Sequence, residues 1–198
     1  FIMVKNKFLK ISQTKEENIE IVNYLSYGTK IPFFEKKKYS KDPMMNRFHI
    51  SGKDVKYEIV NNQFNLLENF QFNIELRGKI VIAAYKMLGT SYLWGGKTAF
   101  GFDCSGFVQT IYNTELGLLL PRDSSDQFNF VKKVVKDELE IADLVFFKEK
   151  GIVVHVGIYI GNDKIIHCSG KVKIDSIDKK NKDSHEIFNG LEIVYGKI

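Results

Sequence analysis

The spacing of apolar residues changes once along this chain. Up to about Phe72 they come in short runs with no helical period, as in "EIVNYLSYGTKIPFFE" (20–35) and "RFHISGKDVKYEIV" (47–60), which are divided by "KKKYSKDP". Short runs between turns that carry Gly and Pro predict strands, and several such strands without a helix predict a small β-barrel. From Asn73, which suits a helix N-cap, Ile74, Val81, Ala84, Tyr85 and Leu88 recur at helical spacing up to a stop at Gly89. The change of period places a domain boundary near 70–75. The expected organisation is a β-barrel domain over 1–74 and a second domain over 75–198, with no internal repeat.

The second segment continues with a loop, "GTSYLWGGKTAFGF", and then a helix that starts at or beside Cys104. Its apolar stripe is Phe107, Val108, Ile111 and Tyr112. Three strands follow, "ADLVFF" (142–147), "IVVHVGIYIG" (152–161) and "KIIHCSG" (164–170), with further strands expected at "KVKID" and "LEIVYG". Helices first and an antiparallel sheet afterwards is an α+β order, unlike the alternation that builds a parallel sheet.

Composition narrows the function classes. With 198 residues and 44% hydrophobic content the chain can bury a real core. No apolar run approaches the roughly 18 residues of a membrane span. The net charge of +5 is dispersed in short clusters such as "EKKKYSK" (35–41) and "DKKNKD" (178–183), where acids sit beside the lysines. Clusters so short and mixed suit solvated loops better than a nucleic-acid surface. The opening stretch, "FIMVKNKFLKISQ", has neither the h-region nor the cleavage site of a signal peptide. Because it opens on Phe1 and not Met, the compartment, bacterial cytoplasm or envelope, stays open, as does the oligomeric state.

The chemistry starts from "GFDCSGF" (101–107). Only two cysteines are present, Cys104 and Cys168, too few for a disulfide framework, so both read as free thiols. A thiol at a helix start lies near unpaired backbone N–H groups and the positive end of the dipole, which favour thiolate. A nucleophile there needs a base. Of the four histidines, His49, His155, His167 and His185, two fall in "HVGIYIGNDKIIHC", which reads as a hairpin. With Gly161, Asn162 and Asp163 as a three-residue loop, Ile160 pairs with Lys164 and Gly157 with His167. His155 is then the diagonal neighbour of His167 on the same face, roughly 7 to 8 Å away by Cα. A loop of two or four residues would separate the histidines unless a bulge restored them. A lone strand histidine, or a lone cysteine at a helix start, is as a rule structural. Together they supply nucleophile, base and orienting group, the arrangement of a cysteine hydrolase.

The motifs "YLWGGKTAFGFDCSGFVQTIY", "LPRDSSDQ", "ADLVFF" and "HVGIYIGNDKIIHCSG" occur in that order. In this the chain resembles the NlpC family of bacterial cell-wall cysteine peptidases over roughly 75–170. The resemblance implies a papain-like α+β domain that hydrolyses γ-D-glutamyl bonds to diaminopimelate or lysine in peptidoglycan stem peptides. By it, Cys104 is the nucleophile, His155 the general base and acid, and His167 the residue orienting His155. Tyr92 leans over the thiolate and, with the backbone N–H of Cys104, holds the oxyanion. Asp103 and Ser105 match positions that bind the substrate's amino group and γ-D-glutamyl carboxylate. Ser124 is a further substrate contact, with Ser125 as its alternative, and Trp94 is either a pocket wall or plain packing. The expected partners are stem peptides or murein fragments, with no metal or other cofactor.

The N-terminal segment is similar to the bacterial SH3-like barrels attached to such peptidases, with "YLSYGTKIPFF" as the point of likeness. In relatives so built, the barrel helps require a free N-terminal L-alanine. Ala142 stands where the family usually has Gly. Other readings are an acyltransferase or amidase on the same scaffold, a non-catalytic wall-binding protein, and a zinc site from Cys104, His155, His167 and Cys168. Against the last, the adjacent His167 and Cys168 point to opposite faces of a strand, and no Cys-x-x-Cys pair is present.

Overall fold

A computed structural model describes residues 2–3, 8–15, 18–31, 46–49, 56–59, 74–178, 180–181 and 188–198. The chain divides into two compact units, Phe1–Glu68 and Asn69–Ile198.

The first unit holds β1 (Ile2–Met3), β2 (Phe8–Lys15), β3 (Asn18–Ser26), β4 (Lys30–Ile31), β5 (Asn46–His49) and β6 (Lys56–Ile59). They pair antiparallel as β1 with β4, β2 with β3 and β5 with β6. The rest of the segments expected as strands over 20–35 and 47–60 lies outside the described residues, as does Asn73.

The second unit is an α+β domain. It runs α1 (Ile74–Lys86), β7 (Lys97–Thr98), β8 (Gly101–Phe102), α2 (Cys104–Leu116), α3 (Ser124–Phe130), β9 (Lys132–Val134), β10 (Leu144–Glu149), β11 (Ile152–Gly161), β12 (Lys164–Ser169), β13 (Lys171–Ser176) and β14 (Glu192–Lys197). Its main sheet is antiparallel with order β13-β12-β11-β10-β14-β9. No described helix is long and apolar enough to cross a membrane.

Alternation along the strands gives the sheet two different faces. Leu144, Phe146, Val156, Ile158, Ile166 and Cys168 are fully buried on one. There Phe128 of α3 meets Phe146 edge-on at 5.1 Å between centroids, and α2 contributes Phe107, Val108, Ile111 and Tyr112, all fully buried. On the other face, Val145, Phe147 and Ile165 form a cluster with Ile177 and Phe188.

The face α1 buries differs from the sequence expectation. Arg77, Ile80, Ala83 and Ala84 are its buried residues, followed by Met87, whereas Ile74 is 78% exposed and Tyr85 and Leu88 lie outside the core. The cause is a buried ion pair. Arg77 Nη1 donates to the carboxylate of Asp143 at 2.7 Å and to the carbonyl of Ile141 at 2.8 Å. This pair turns a polar position inward. Beside it Ala142 adopts φ of 68°, held by its N–H to the Tyr159 carbonyl and by the Tyr112 hydroxyl on its own carbonyl.

The β11–β12 hairpin also differs in detail. Gly161 pairs with Lys164, leaving Asn162 and Asp163 as a two-residue loop with φ of 51° and 54°, values that suit a type I′ turn. The register shifts between Tyr159 and Gly161, so Ile160 is bulged and does not pair with Lys164. The bulge offsets the shorter loop and sets Gly157 opposite His167.

Candidate active site

Cys104 is the first residue of α2, and Asp103 is the N-cap. Asp103 has extended backbone, φ −93° and ψ 179°, and its Oδ1 accepts the Gly106 N–H at 2.6 Å, satisfying a first-turn donor. The loop that leads in from Tyr92 is pressed against this turn. A Cβ on Gly106 would lie 2.2 Å from the carbonyl oxygen of Gly96, so only glycine fits where loop and helix meet. The Asp103 carboxylate also accepts the Gly95 N–H at 2.9 Å and is clamped by both guanidinium nitrogens of Arg122. Arg122 Nη1 donates in addition to Ser105 Oγ at 3.0 Å. Gln127 ties α3 to this turn, donating to the Ser105 carbonyl at 3.0 Å and to that of Pro121 at 2.9 Å.

At the Cys104 thiol the helix start favours thiolate as expected, but it is outweighed. Burial, and then the negative charge of Asp103, push its pKa up, while the backbone N–H groups of Ser105, Val156 and Cys104 itself pull it down only in part. Thiolate formation therefore needs a proton acceptor, not the helix alone. Val156 follows His155 directly, so the thiol reaches β11 beside that histidine.

His155 and His167 share the sheet face opposite the helices. Their ring nitrogens, His155 Nε2 and His167 Nδ1, are 2.7 Å apart, with the rings at 85° to each other. His167 Nε2 in turn lies 2.8 Å from Asp175 Oδ2, and Lys173 Nζ lies 3.1 Å from the same oxygen. Burial raises the Asp175 pKa, but hydrogen bonds from His167 and Lys173 outweigh it and hold the carboxyl below the usual carboxylate range. His167 is fully buried and His155 9% exposed. Phe188 closes over both, stacked on Phe147 at 4.2 Å and 5.4 Å from the His167 ring.

Tyr92 is pinned by its N–H to the Gly170 carbonyl at 2.9 Å. Partial burial and the charges of Cys104 and Asp103 raise its phenol pKa, which keeps it a neutral donor beside the thiol. Ser124 opens α3 and is half-buried, Ser125 is exposed, and Trp94 is 87% exposed, so it is not a packing residue. Cys168 is fully buried, donates to the Phe102 carbonyl at 3.2 Å, and is pushed up to about 12 by burial. The described residues contain no group of three or more His, Cys, Asp or Glu able to hold a metal.

Three participants had no role in the sequence reading. Arg122 was visible only as part of "LPR", and Asp175 only as the end of a strand. For Asp175 a signal existed, since pairing His167 with Lys173 makes Asp175 its diagonal neighbour. Phe188 carried none.

The family model for the NlpC/P60 family matches residues 89–187, half of the chain. The chain belongs to the NlpC/P60 family. It is 40% identical over 113 residues to a gamma-D-glutamyl-L-lysine dipeptidyl-peptidase of Bacillus subtilis, covering 56% of this chain and 34% of that protein. It is 44% identical over 95 residues to a probable endopeptidase NlpC homolog of Haemophilus influenzae, covering 47% of this chain and 50% of that one. The chain thus spans between a third and a half of the length of these relatives. A crystal structure of an NlpC/P60 family protein from Bacillus cereus aligns with 98% of this chain and 62% of its own at 25% identity and a TM-score of 0.72.

Proposed function

We propose that this NlpC/P60 protein is a cysteine peptidase acting on peptidoglycan stem peptides, and that it cuts the γ-D-glutamyl bond to diaminopimelate or lysine. The observation that carries this reading is the hydrogen bond between His155 of β11 and His167 of β12, with β11 meeting Cys104 at the head of α2. The relative named as a gamma-D-glutamyl-L-lysine dipeptidyl-peptidase supports the choice of bond.

In the proposed cycle His155 takes the Cys104 proton as Sγ attacks the γ-carbonyl carbon. Because His155 Nε2 is engaged by His167, that exchange runs through Nδ1. Tyr92 and the Cys104 N–H donate to the oxygen that becomes negative. As the C–N bond breaks, His155 protonates the leaving amine, giving a thioester. Water then loses a proton to His155 and attacks the thioester carbon, and the γ-carboxylate leaves as the proton returns to sulfur. Arg122, held beside Ser105 Oγ, suits the free α-carboxylate of D-glutamate, since a guanidinium and a hydroxyl together offer it charged and neutral donors. Asp103 is so heavily hydrogen-bonded that a substrate amine would share it with Arg122.

We also read the N-terminal unit as an SH3-like barrel and expect a requirement for free N-terminal L-alanine. The support for the barrel is the run of short strands, β1 to β6, with no described helix among them.

The test is mass spectrometry of L-Ala-γ-D-Glu-diaminopimelate after incubation with the wild type and with Cys104→Ala, beside the N-acetylated peptide. Release of diaminopimelate by the wild type alone, from the free-amine peptide alone, is expected. Cutting of the acetylated peptide would overturn the free-amine requirement, and no cutting of either would overturn the peptidase.

A further inference from the structure

We infer that Asp175 is a positioning residue for this chemistry, acting through His167 to decide which nitrogen of His155 carries the proton. The inference rests on the peptidase reading for its consequence, although the proton arrangement itself does not.

A hydrogen bond between two neutral imidazoles has no built-in direction, because either ring can donate. Here the direction is set from the far end. The Asp175 carboxylate has only acceptors to offer, so His167 Nε2, 2.8 Å from its Oδ2, must be the protonated nitrogen. The Nδ1 of neutral His167 then carries no hydrogen and accepts. His155 Nε2, 2.7 Å away, must donate to it, which leaves His155 Nδ1 as the basic nitrogen for the thiol proton. Reversing the order would put a hydrogen on His155 Nδ1 and remove the base.

The surroundings hold this polarity in place. Lys173 is on the strand of Asp175 and shares its Oδ2 at 3.1 Å, partly neutralising the carboxylate so that it does not draw a second proton onto His167. From β12 the His167 ring faces the carboxylate, and Phe188 packs on that ring at 5.4 Å between centroids. When His155 accepts the thiol proton, the same chain of hydrogen bonds leads from its new charge to the negative end at Asp175.

The experiment is long-range 1H–15N correlation on the full chain with 15N-labelled histidine rings, comparing the wild type with Asp175→Ala and Asp175→Asn. The wild type is expected to show both His155 and His167 as the Nε2–H form, with Nδ1 unprotonated. In Asp175→Ala both rings should become mixtures of the two forms, and Asp175→Asn, which can accept but is neutral, should lie between. For the peptide above, kcat of Asp175→Ala should fall roughly 10- to 100-fold, the usual range for groups that orient a functional histidine, with KM changed less than about threefold. A residue that merely holds the hairpin would not move the tautomers. A wild-type His155 in the Nδ1–H form, or unchanged tautomers in Asp175→Ala and Asp175→Asn, would overturn the inference. Should Asp175→Ala fail to fold, Asp175→Asn decides. If the wild type cut no peptide, the peptidase reading would fall while the ring spectra still judged Asp175.

Discussion

Gly157 of β11 stands directly opposite His167 of β12, and a Cβ on it would come within 3.0 Å of the His167 Cβ. The nearer neighbour, Ile165 Cδ1 at 2.9 Å, can swing away, but the His167 Cβ is fixed to its strand. Gly157→Ala should therefore shift the His167 ring and loosen its 2.7 Å contact with His155. A displacement of this kind lowers kcat by an order of magnitude or more, since about 1 Å of misplacement can cost roughly 100-fold. Steady-state kinetics on the free-amine peptide check it, and an unchanged kcat would mean that the pair tolerates the shift.

The raised pKa of Cys104 makes its reactivity depend on His155. Alkylation by iodoacetamide near pH 7 should be at least about tenfold slower in His155→Ala than in the wild type, because only the thiolate reacts. Peptide mapping should find the label on Cys104 alone, with Cys168 reacting only after unfolding. Equal rates in both proteins would show that the backbone N–H groups suffice to hold the thiolate.

Ala142 sits at φ of 68° in a turn that several hydrogen bonds hold in place. A Cβ in that region costs about 1 kcal/mol or more. Ala142→Gly removes it, against a smaller entropic loss, and should raise Tm by about 1–2 °C for a chain of this size. A lower Tm by calorimetry would show that the turn carries no such strain.

Asp175 should leave a signature in acid. Its folded pKa is depressed, so its pairing stabilises the fold above the ordinary carboxylate pKa of about 3.9 and that contribution fades as pH falls through the lower folded value. The stability gap between wild type and Asp175→Asn, from urea unfolding, should narrow as pH falls below about 4. A gap that widens in acid would reverse the sign of the coupling.

Much of this was legible in local sequence. The apolar stripe of α2 made a start at or beside Cys104 readable, and the strand expected over 152–161 has the bounds of β11, whereas the Asp103 cap was not foreseen. The histidine pairing was anticipated through a loop one residue too long. A type I′ turn at Asn162–Asp163 and a bulge at Ile160 compensate each other, so the register was right although the loop was not. On α1 the exposed Tyr85 and Leu88 fit the helical period as well as the buried Ile80 and Met87 do. Only the partnership of Arg77 with Asp143, 66 residues on, decides between the faces. Phe188 covers the histidines through tertiary contact alone, and no local pattern encodes that.

The place of β14 between β10 and β9 has a consequence for biosynthesis. Its residues, and Phe188 before them, follow Cys104, His155 and His167 in the sequence, yet they fill the interior of the sheet and roof the histidines. A ribosome-bound chain can thus expose every reactive group and still lack a finished catalytic centre. The enclosure of the histidines is completed only when Phe188 and β14 have joined the sheet.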